Sequence, residues 1–155
     1  VVEERGPRNA TARDLELSYR HSNLTPRSLV TRVVLRLTPS RTDAVDAAKE
    51  SVKQYIQLRN RTQPLDQPSF GSTFANPPRD AAARLIESCG LKGKTRGGMM
   101  VSPRHANFTV NLGNGTARDA VDLVREVREE VARVTGVVLR TEVRTAGFPS
   151  DPLAL

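Results

Sequence analysis

The sequence is poor in several features that would each have pointed to a function. One cysteine, Cys89, stands in 155 residues, which leaves no internal disulfide. Tryptophan is absent and aromatics make up 4%, so no stacking platform for single-stranded nucleic acid is present. The two histidines, His21 and His105, are far apart in sequence, and no metal site is predicted from their spacing. No run of about 18 apolar residues occurs, so no membrane span is expected. The opening residues are charged and carry no apolar signal segment. A G-x-S-x-G elbow, a Walker loop and G-x-G-x-x-G are all missing, so the chain has no recognisable dinucleotide cradle of its own. An initial methionine is also lacking, and the chain opens on two valines.

What remains is ordinary globular composition, 37% hydrophobic and 26% charged, in a length that suits one domain or one domain with a fragment of another. The net charge is +7, from 24 Lys and Arg against 17 Asp and Glu. The cations are spread along the chain, and the densest patch, Lys92 to Arg96, is short. A nucleic-acid partner is therefore not expected. An anionic small ligand such as a nucleotide sugar needs only a few placed cations.

Periodicity predicts a mixed succession of elements. Thr11–Leu17 reads as a short helix or a turn, followed by a polar loop at Ser18–Ser22. Leu29–Leu37 alternates with period two and predicts a half-buried strand. Ser40, with Asp43 three residues on, predicts the cap of a helix that carries Val45, Ala48, Val52 and Ile56 and runs to about Asn60. Residues 61–79 hold four prolines and read as a long functional loop. Asp80 is expected to cap a helix over 81–89 with Leu85, Ile86 and Cys89 inward and Gly90 just past its end. A glycine-containing segment, 93–98, precedes a second strand in which Phe108, Val110 and Leu112 alternate with Asn107, Thr109 and Asn111. Thr116 predicts the cap of a helix over 117–134 with an apolar stripe of valines, stopped by Gly136. Val137–Arg144 predicts a third strand, and the last eight residues read as a frayed tail. Strands and helices mix without strict alternation, which predicts an α+β fold.

Three places carry candidate chemistry, each with a plainer alternative. Ser72, after Gly71 in the proline-held loop, either presents its hydroxyl as a proton donor or caps a turn. Glu142, between Arg140 and Arg144, is either one rung of a solvated ion-pair ladder or a carboxylate pointing into a pocket. Arg20, after Tyr19, either clamps a carboxylate or is exposed.

Taken in order, six blocks resemble one family. They are Tyr19-Arg20-His21-Ser22 with the segment ending Leu35-Arg36-Leu37; Gln63-Pro64-Leu65 through Pro68-Ser69-Phe70-Gly71-Ser72-Thr73-Phe74-Ala75-Asn76-Pro77; Ala83 through Gly93; Gly97-Gly98; Ser102 through Phe108; and Glu142-Val143-Arg144. The order is similar to that of UDP-N-acetylenolpyruvoylglucosamine reductase, over roughly residues 12–147, and is far more specific than any block by itself. The resemblance implies a flavoenzyme that uses FAD and NADPH to reduce UDP-N-acetylglucosamine-enolpyruvate to UDP-N-acetylmuramate, a cytoplasmic step in peptidoglycan synthesis.

By the same resemblance Ser72 delivers a proton to C2 of the substrate, and Arg20 and Glu142 are the other two catalytic residues. Asn76 matches a contact to the diphosphate side of the substrate. His105 occupies a substrate-pocket position at which members vary, and Tyr19 adjoins the arginine. The resemblance makes Tyr19, Asn76 and His105 the substrate-binding residues, and it divides the chain into the end of an FAD-binding domain (1–39), a C-terminal substrate-binding domain (40–147) and a tail (148–155). The family's glycine-rich FAD-binding segments are not in this sequence. A fragment, inactive by itself, is therefore expected, and a catalytically incomplete UDP-sugar-binding module is the alternative. Thr62 stands where many members have lysine, leaving Arg59 or Arg61 as a substitute cation. The short link from Leu37 to Ser40 matches the branch that lacks an extra tyrosine-bearing loop. Arg79 stands where glycine is common.

Overall fold

The first of two units, Val1–Asp46, opens on a short antiparallel hairpin of β1 (Val2–Glu3) and β2 (Gly6–Pro7). The computed structural model describes every residue except 4, 5, 26, 40, 41 and 155, and the side chains of Thr42 and Asp43. Val2 and Leu29 exchange backbone hydrogen bonds of 2.7 and 2.8 Å. Residues 12–16 settle as turns, fixed by the Thr11 amide and hydroxyl, both of which donate to Asp14 Oδ2. The Ser18–Ser22 loop contains a tight turn in which Ser18 and His21 exchange backbone hydrogen bonds of 3.1 Å, with Tyr19 and Arg20 at its tip. Arg20 takes a left-handed φ of +53°.

The strand predicted over Leu29–Leu37 does not form. Leu29 makes an isolated bridge to Val2, and Val33, Leu35 and Leu37 are 70%, 74% and 80% exposed. Alternation supplies an apolar face, but a strand also needs a neighbour for its backbone N–H and C=O groups. Among the described residues, 30–37 show no such pairing. The next helix does form, as α1 (Thr42–Thr62). Its expected cap at Ser40 and Asp43 lies outside the described residues. Val45, Val52 and Ile56 keep their helical spacing but are exposed.

The second unit, Ala47–Leu155, is built on an antiparallel sheet in the order β3-β6-β5-β4. Its strands are β3 (Ser69–Ser72), β4 (Thr95–Arg96), β5 (Met99–Val101) and β6 (Phe108–Asn111). Helix α2 (Ala82–Ser88) packs on α3 (Ala117–Thr135), and α3 lies against β4 and β5. The strand predicted around Phe108–Leu112 is thus β6, an inner strand of the sheet, with Phe108, Thr109 and Val110 all buried. It ends one residue early, leaving Leu112 exposed.

Two elements depart from the sequence expectation. β3 lies inside the proline-rich stretch read as a loop, because Pro68 stops just short of it and β6 offers it a partner. β4 and β5 form a hairpin in the glycine segment, with Gly97-Gly98 as a two-residue turn between paired Arg96 and Met99. A Cβ at Gly98 would overlap the backbone of Asn114 and Gly115, so the turn also needs glycine to pack.

Helix ends follow local chemistry closely. Thr116 caps α3 in a full capping box with Asp119, and Gly136 ends it with φ +73°. The α3 valines at 121, 124, 127 and 131 are buried, together with Leu123, whereas Val134 is exposed. α2 ends in a Schellman motif: Gly90 N donates to Glu87 O (2.9 Å) and Leu91 N to Ile86 O (3.3 Å). Its start corrects the expectation at Asp80. The N-cap is Ala81, with no cap from its own side chain. Asp80 instead accepts from Ala81 N and pairs with Arg84, and the first turn is served by Asn76, whose Oδ1 accepts from Ala82 N at 3.0 Å.

The strand predicted over Val137–Arg144 becomes an extended segment that bridges the chain at Thr141 and Phe74. The tail is not frayed. Leu153 is buried in the core, and Arg125 and Arg128 of α3 donate to the carbonyls of Pro152 and Leu153 at 2.9 and 3.0 Å. An apolar residue beside two basic side chains of a helix docks rather than remaining in water.

Candidate functional site

Of the six residues singled out from sequence, Ser72, Asn76, His105 and Glu142 belong to the second unit, and Tyr19 and Arg20 to the first. The second-unit set is organised around the end of β3. Ser72 is the last residue of that strand and pairs with Phe108 across an irregular register from Ser69. Gly71, at φ +79°, supplies the left-handed residue of the irregularity. Strand irregularities of this kind re-aim the side chain that follows. Ser72 is half-buried, and none of the hydrogen bonds among the described residues uses its hydroxyl.

The three residues after Ser72 are held on both sides. Thr73 N donates to Asn107 O at 2.8 Å, and Thr73 O accepts from Glu142 N at 3.0 Å. Phe74 N donates to Asn107 Oδ1 (2.9 Å), while Asn107 Nδ2 donates back to Phe74 O (2.8 Å). Ala75 N donates to Arg140 O at 2.9 Å. The Thr73 and Thr109 hydroxyls share a buried hydrogen bond of 3.1 Å. Every buried side-chain nitrogen or oxygen among the described residues has a partner, so these polar groups are accommodated in the core without an orphan.

Glu142 is half-buried on the extended segment opposite Thr73. The chain thus brings Ser72 and Glu142, 70 residues apart by number, onto neighbouring extended segments. His105 sits in a turn fixed by the buried Ser102 hydroxyl, which accepts from the amides of Arg104 (3.2 Å) and His105 (3.4 Å). Its ring meets Phe108 edge-on at 4.9 Å, and its Nδ1 accepts from Asn107 N at 3.2 Å. That bond assigns the remaining proton of the neutral ring to Nε2. Burial, with some help from the charge of Lys92, holds the His105 imidazole below its ordinary value, against a backbone hydrogen bond and, more weakly, Glu87. His105 is therefore neutral at pH 7.

Asn76 is exposed, and its Oδ1 serves α2. Thr62, where many family members carry lysine, turns its hydroxyl back to Leu58 O at 2.9 Å. Arg59 donates through Nε to Gln63 Oε1 at 3.1 Å. In the first unit, the Arg20 guanidinium lies 5.2 Å from the centroid of the exposed Tyr19 ring, a cation–π contact. Asn107, Thr73 and Thr109 were missed as site-forming residues. The available signal was a polar residue at the head of a strand that is buried on both faces.

Seven of the ten glycines leave open space where a Cβ would stand, whereas at Gly97, Gly98 and Gly115 an added Cβ would run into Asp119, the Asn114–Gly115 backbone and Met99. These glycines serve the packing of the β4–β5 hairpin on the start of α3. Among the described residues no group of three His, Cys, Asp or Glu is placed to hold a metal ion, and no helix is long and apolar enough to cross a membrane.

Comparison with known proteins identifies the family of the chain. Residues 63–146 match the family described as UDP-N-acetylenolpyruvoylglucosamine reductase, C-terminal domain. The reductase of that name from Anaeromyxobacter dehalogenans (strain 2CP-C) is 48% identical over 141 residues, covering 90% of this chain and 42% of the relative. Its counterpart from Alkalilimnicola ehrlichii is 46% identical over 147 residues, covering 95% of this chain and 47% of the relative. The crystal structure of the reductase from Thermus caldophilus superposes with a TM-score of 0.69 at 38% identity, over 84% of this chain and 45% of that one. The chain thus spans less than half the length of these relatives. With more than half of its residues matched by the family model, the chain belongs to the UDP-N-acetylenolpyruvoylglucosamine reductase family, and the matched part corresponds to the C-terminal domain.

Proposed function

We propose that this chain is the substrate-side portion of an oxidoreductase that converts UDP-N-acetylglucosamine-enolpyruvate to UDP-N-acetylmuramate, a cytoplasmic step of peptidoglycan synthesis driven by NADPH and FAD. The observation that carries the reading is the end of β3, where Ser72 follows a left-handed glycine and is flanked by the segment bearing Glu142. By the family resemblance the flavin is assigned to segments that this sequence does not contain, and this chain's part is proton delivery and substrate binding.

The reaction adds a hydride to C3 of the enolpyruvyl group and a proton to C2. Negative charge develops on C2 and the adjoining carboxylate as an enolate. Ser72 gives its hydroxyl proton to C2, and water restores it. A serine is a weak acid, but an enolate is a strong enough base to take its proton in a site that excludes bulk water. Glu142 orients Ser72 or the water that restores it. Arg20 stabilises charge that is present only as the reaction proceeds. Its part rests on the Tyr-Arg-His-Ser motif. Asn76 Nδ2 meets the diphosphate with Arg59 or Arg61, and His105 offers Nε2–H to the substrate. Tyr19 steadies Arg20. The domain division follows the same reading, with residues 1–39 on the flavin side and 40–147 on the substrate side.

The test uses a chimera in which this chain replaces the matching part of the Anaeromyxobacter dehalogenans relative. Ser72→Ala is expected to slow reoxidation of the reduced flavin by the enolpyruvyl substrate by about 10²–10⁴-fold, with flavin reduction by NADPH unchanged. Equal loss of both half-reactions would overturn the role of Ser72. The chain by itself is expected to bind no FAD, and a stable flavin band after gel filtration would overturn the division of labour. The alternative is a UDP-sugar-binding module without catalysis. It predicts UDP-sugar binding by the chain and no turnover in the chimera.

A further inference from the structure

We infer that Asn107 is the positioning residue of the site, setting the backbone after Ser72 through three hydrogen bonds and tying it to the His105 turn through a fourth, all made by one buried residue. The inference rests on Ser72 being the proton donor. Asn107 Oδ1 accepts from Phe74 N at 2.9 Å, and its Nδ2 donates to Phe74 O at 2.8 Å. This pair reproduces with a side chain what a neighbouring strand does with its backbone. The Asn107 carbonyl accepts from Thr73 N at 2.8 Å, and the Asn107 amide donates to His105 Nδ1 at 3.2 Å. One residue thereby ties the two positions after Ser72 to the turn that presents His105.

The far side of the same two positions is held by the segment that bears Glu142, through Glu142 N to Thr73 O at 3.0 Å. Thr73 and Phe74 are therefore fixed between two candidate site residues and the clamp. β3 pairs irregularly as it reaches Ser72, so regular sheet pairing does not set where that residue points. The Asn107 bonds supply what the ladder leaves undetermined. They lie in the core: Asn107 is 5% exposed, Thr73 2% and Phe74 2%. Water is kept from competing for them, which makes the geometry stiff. A proton donor misplaced by about 1 Å loses on the order of 10²-fold in rate.

The closing experiment compares Ser72→Ala, Asn107→Leu, Asn107→Asp and the double variant Ser72→Ala/Asn107→Leu in the chimera, by stopped-flow measurement of both half-reactions. Leucine keeps the size and removes both side-chain hydrogen bonds, whereas aspartate keeps the acceptor for Phe74 N and loses the donor to Phe74 O. Asn107→Leu is expected to slow substrate-driven flavin reoxidation about 10²-fold at saturating substrate, with flavin reduction by NADPH within about twofold. Asn107→Asp is expected to fall between parent and leucine, and it carries the test if the leucine variant does not fold. In the Ser72→Ala background, Asn107→Leu is expected to add less than about twofold, because a positioning residue has nothing left to position. Full multiplication of the two losses, a parent-like Asn107→Leu, or equal slowing of both half-reactions would each overturn the inference. A parent-like rate in Ser72→Ala would instead overturn the role of Ser72, on which the inference stands.

Discussion

The amide of Glu142 donates to the carbonyl of Thr73 at 3.0 Å, so the residue that carries the candidate carboxylate is anchored by its backbone directly after Ser72. The anchor does not depend on the carboxylate. Glu142→Gln is therefore expected to leave the unfolding free energy of the chain within about 0.5 kcal/mol of the parent, while lowering turnover of the chimera by about tenfold or more. Paired measurement of unfolding and of turnover decides it. A large loss of stability with normal turnover of the folded fraction would assign Glu142 to the fold.

His105 predicts a pH dependence of stability. Burial lowers its pKa in the folded protein from the ordinary 6.5, so the unfolded chain binds more protons in the interval just below that value. The contribution is complete above pH 6.5 and is lost as pH falls from there through the folded value. Urea unfolding at pH 7.5, 6.5 and 5.5 is expected to show a decline below 6.5 that His105→Asn reduces. Asp80, Asp119, Asp151 and Glu130, whose pKa values are lowered by hydrogen bonds and ion pairs, are still ionised over this interval and contribute their decline at more acid pH. The same slope in the His105→Asn variant would count against the assignment.

Arg79 takes φ +66°, where a residue with a Cβ is strained and glycine is not. Arg79→Gly is expected to stabilise the chain by about 0.5–1 kcal/mol after the larger backbone entropy of glycine in the unfolded state is set against the relieved strain. The check is a rise in urea midpoint at constant m-value.

The last residues are part of the core, and their removal is expected to show it. Leu153 is 3% exposed and belongs to the same cluster as Leu123, Val127 and Val131. Leu153→Ala is expected to lower stability by about 2–4 kcal/mol, whereas Ala154→Ser, at an exposed position next to it, changes it by less than about 0.5 kcal/mol. Equal, small effects would mean that the tail does not contribute.

How legible each element was depended on how local its cause is. Thr116 with Asp119, and Gly90 and Gly136 past their helices, read correctly because a helix end is satisfied by residues within one turn. The valine stripe of α3 read correctly for the same reason of period. Leu29–Leu37 and Phe108–Leu112 carry the same alternation and end differently, since one finds strand partners on both sides and the other pairs at Leu29. β3 and the β4–β5 hairpin were hidden by proline and glycine. Those residues mark turns, and they say nothing of the short strands that fit between them.

By itself the sequence determined the family resemblance, the mixed α+β class and the identity of Ser72, Arg20 and Glu142 as candidates, because residue type and order are carried by the chain. The tertiary structure decided which apolar alternations became strands, that Leu153 closes the core, and that Asn107 clamps the backbone after Ser72. These outcomes depend on hydrogen-bond and packing partners distant in sequence, such as Asn107 and Phe74, and no local pattern specifies which partner a buried polar group will meet.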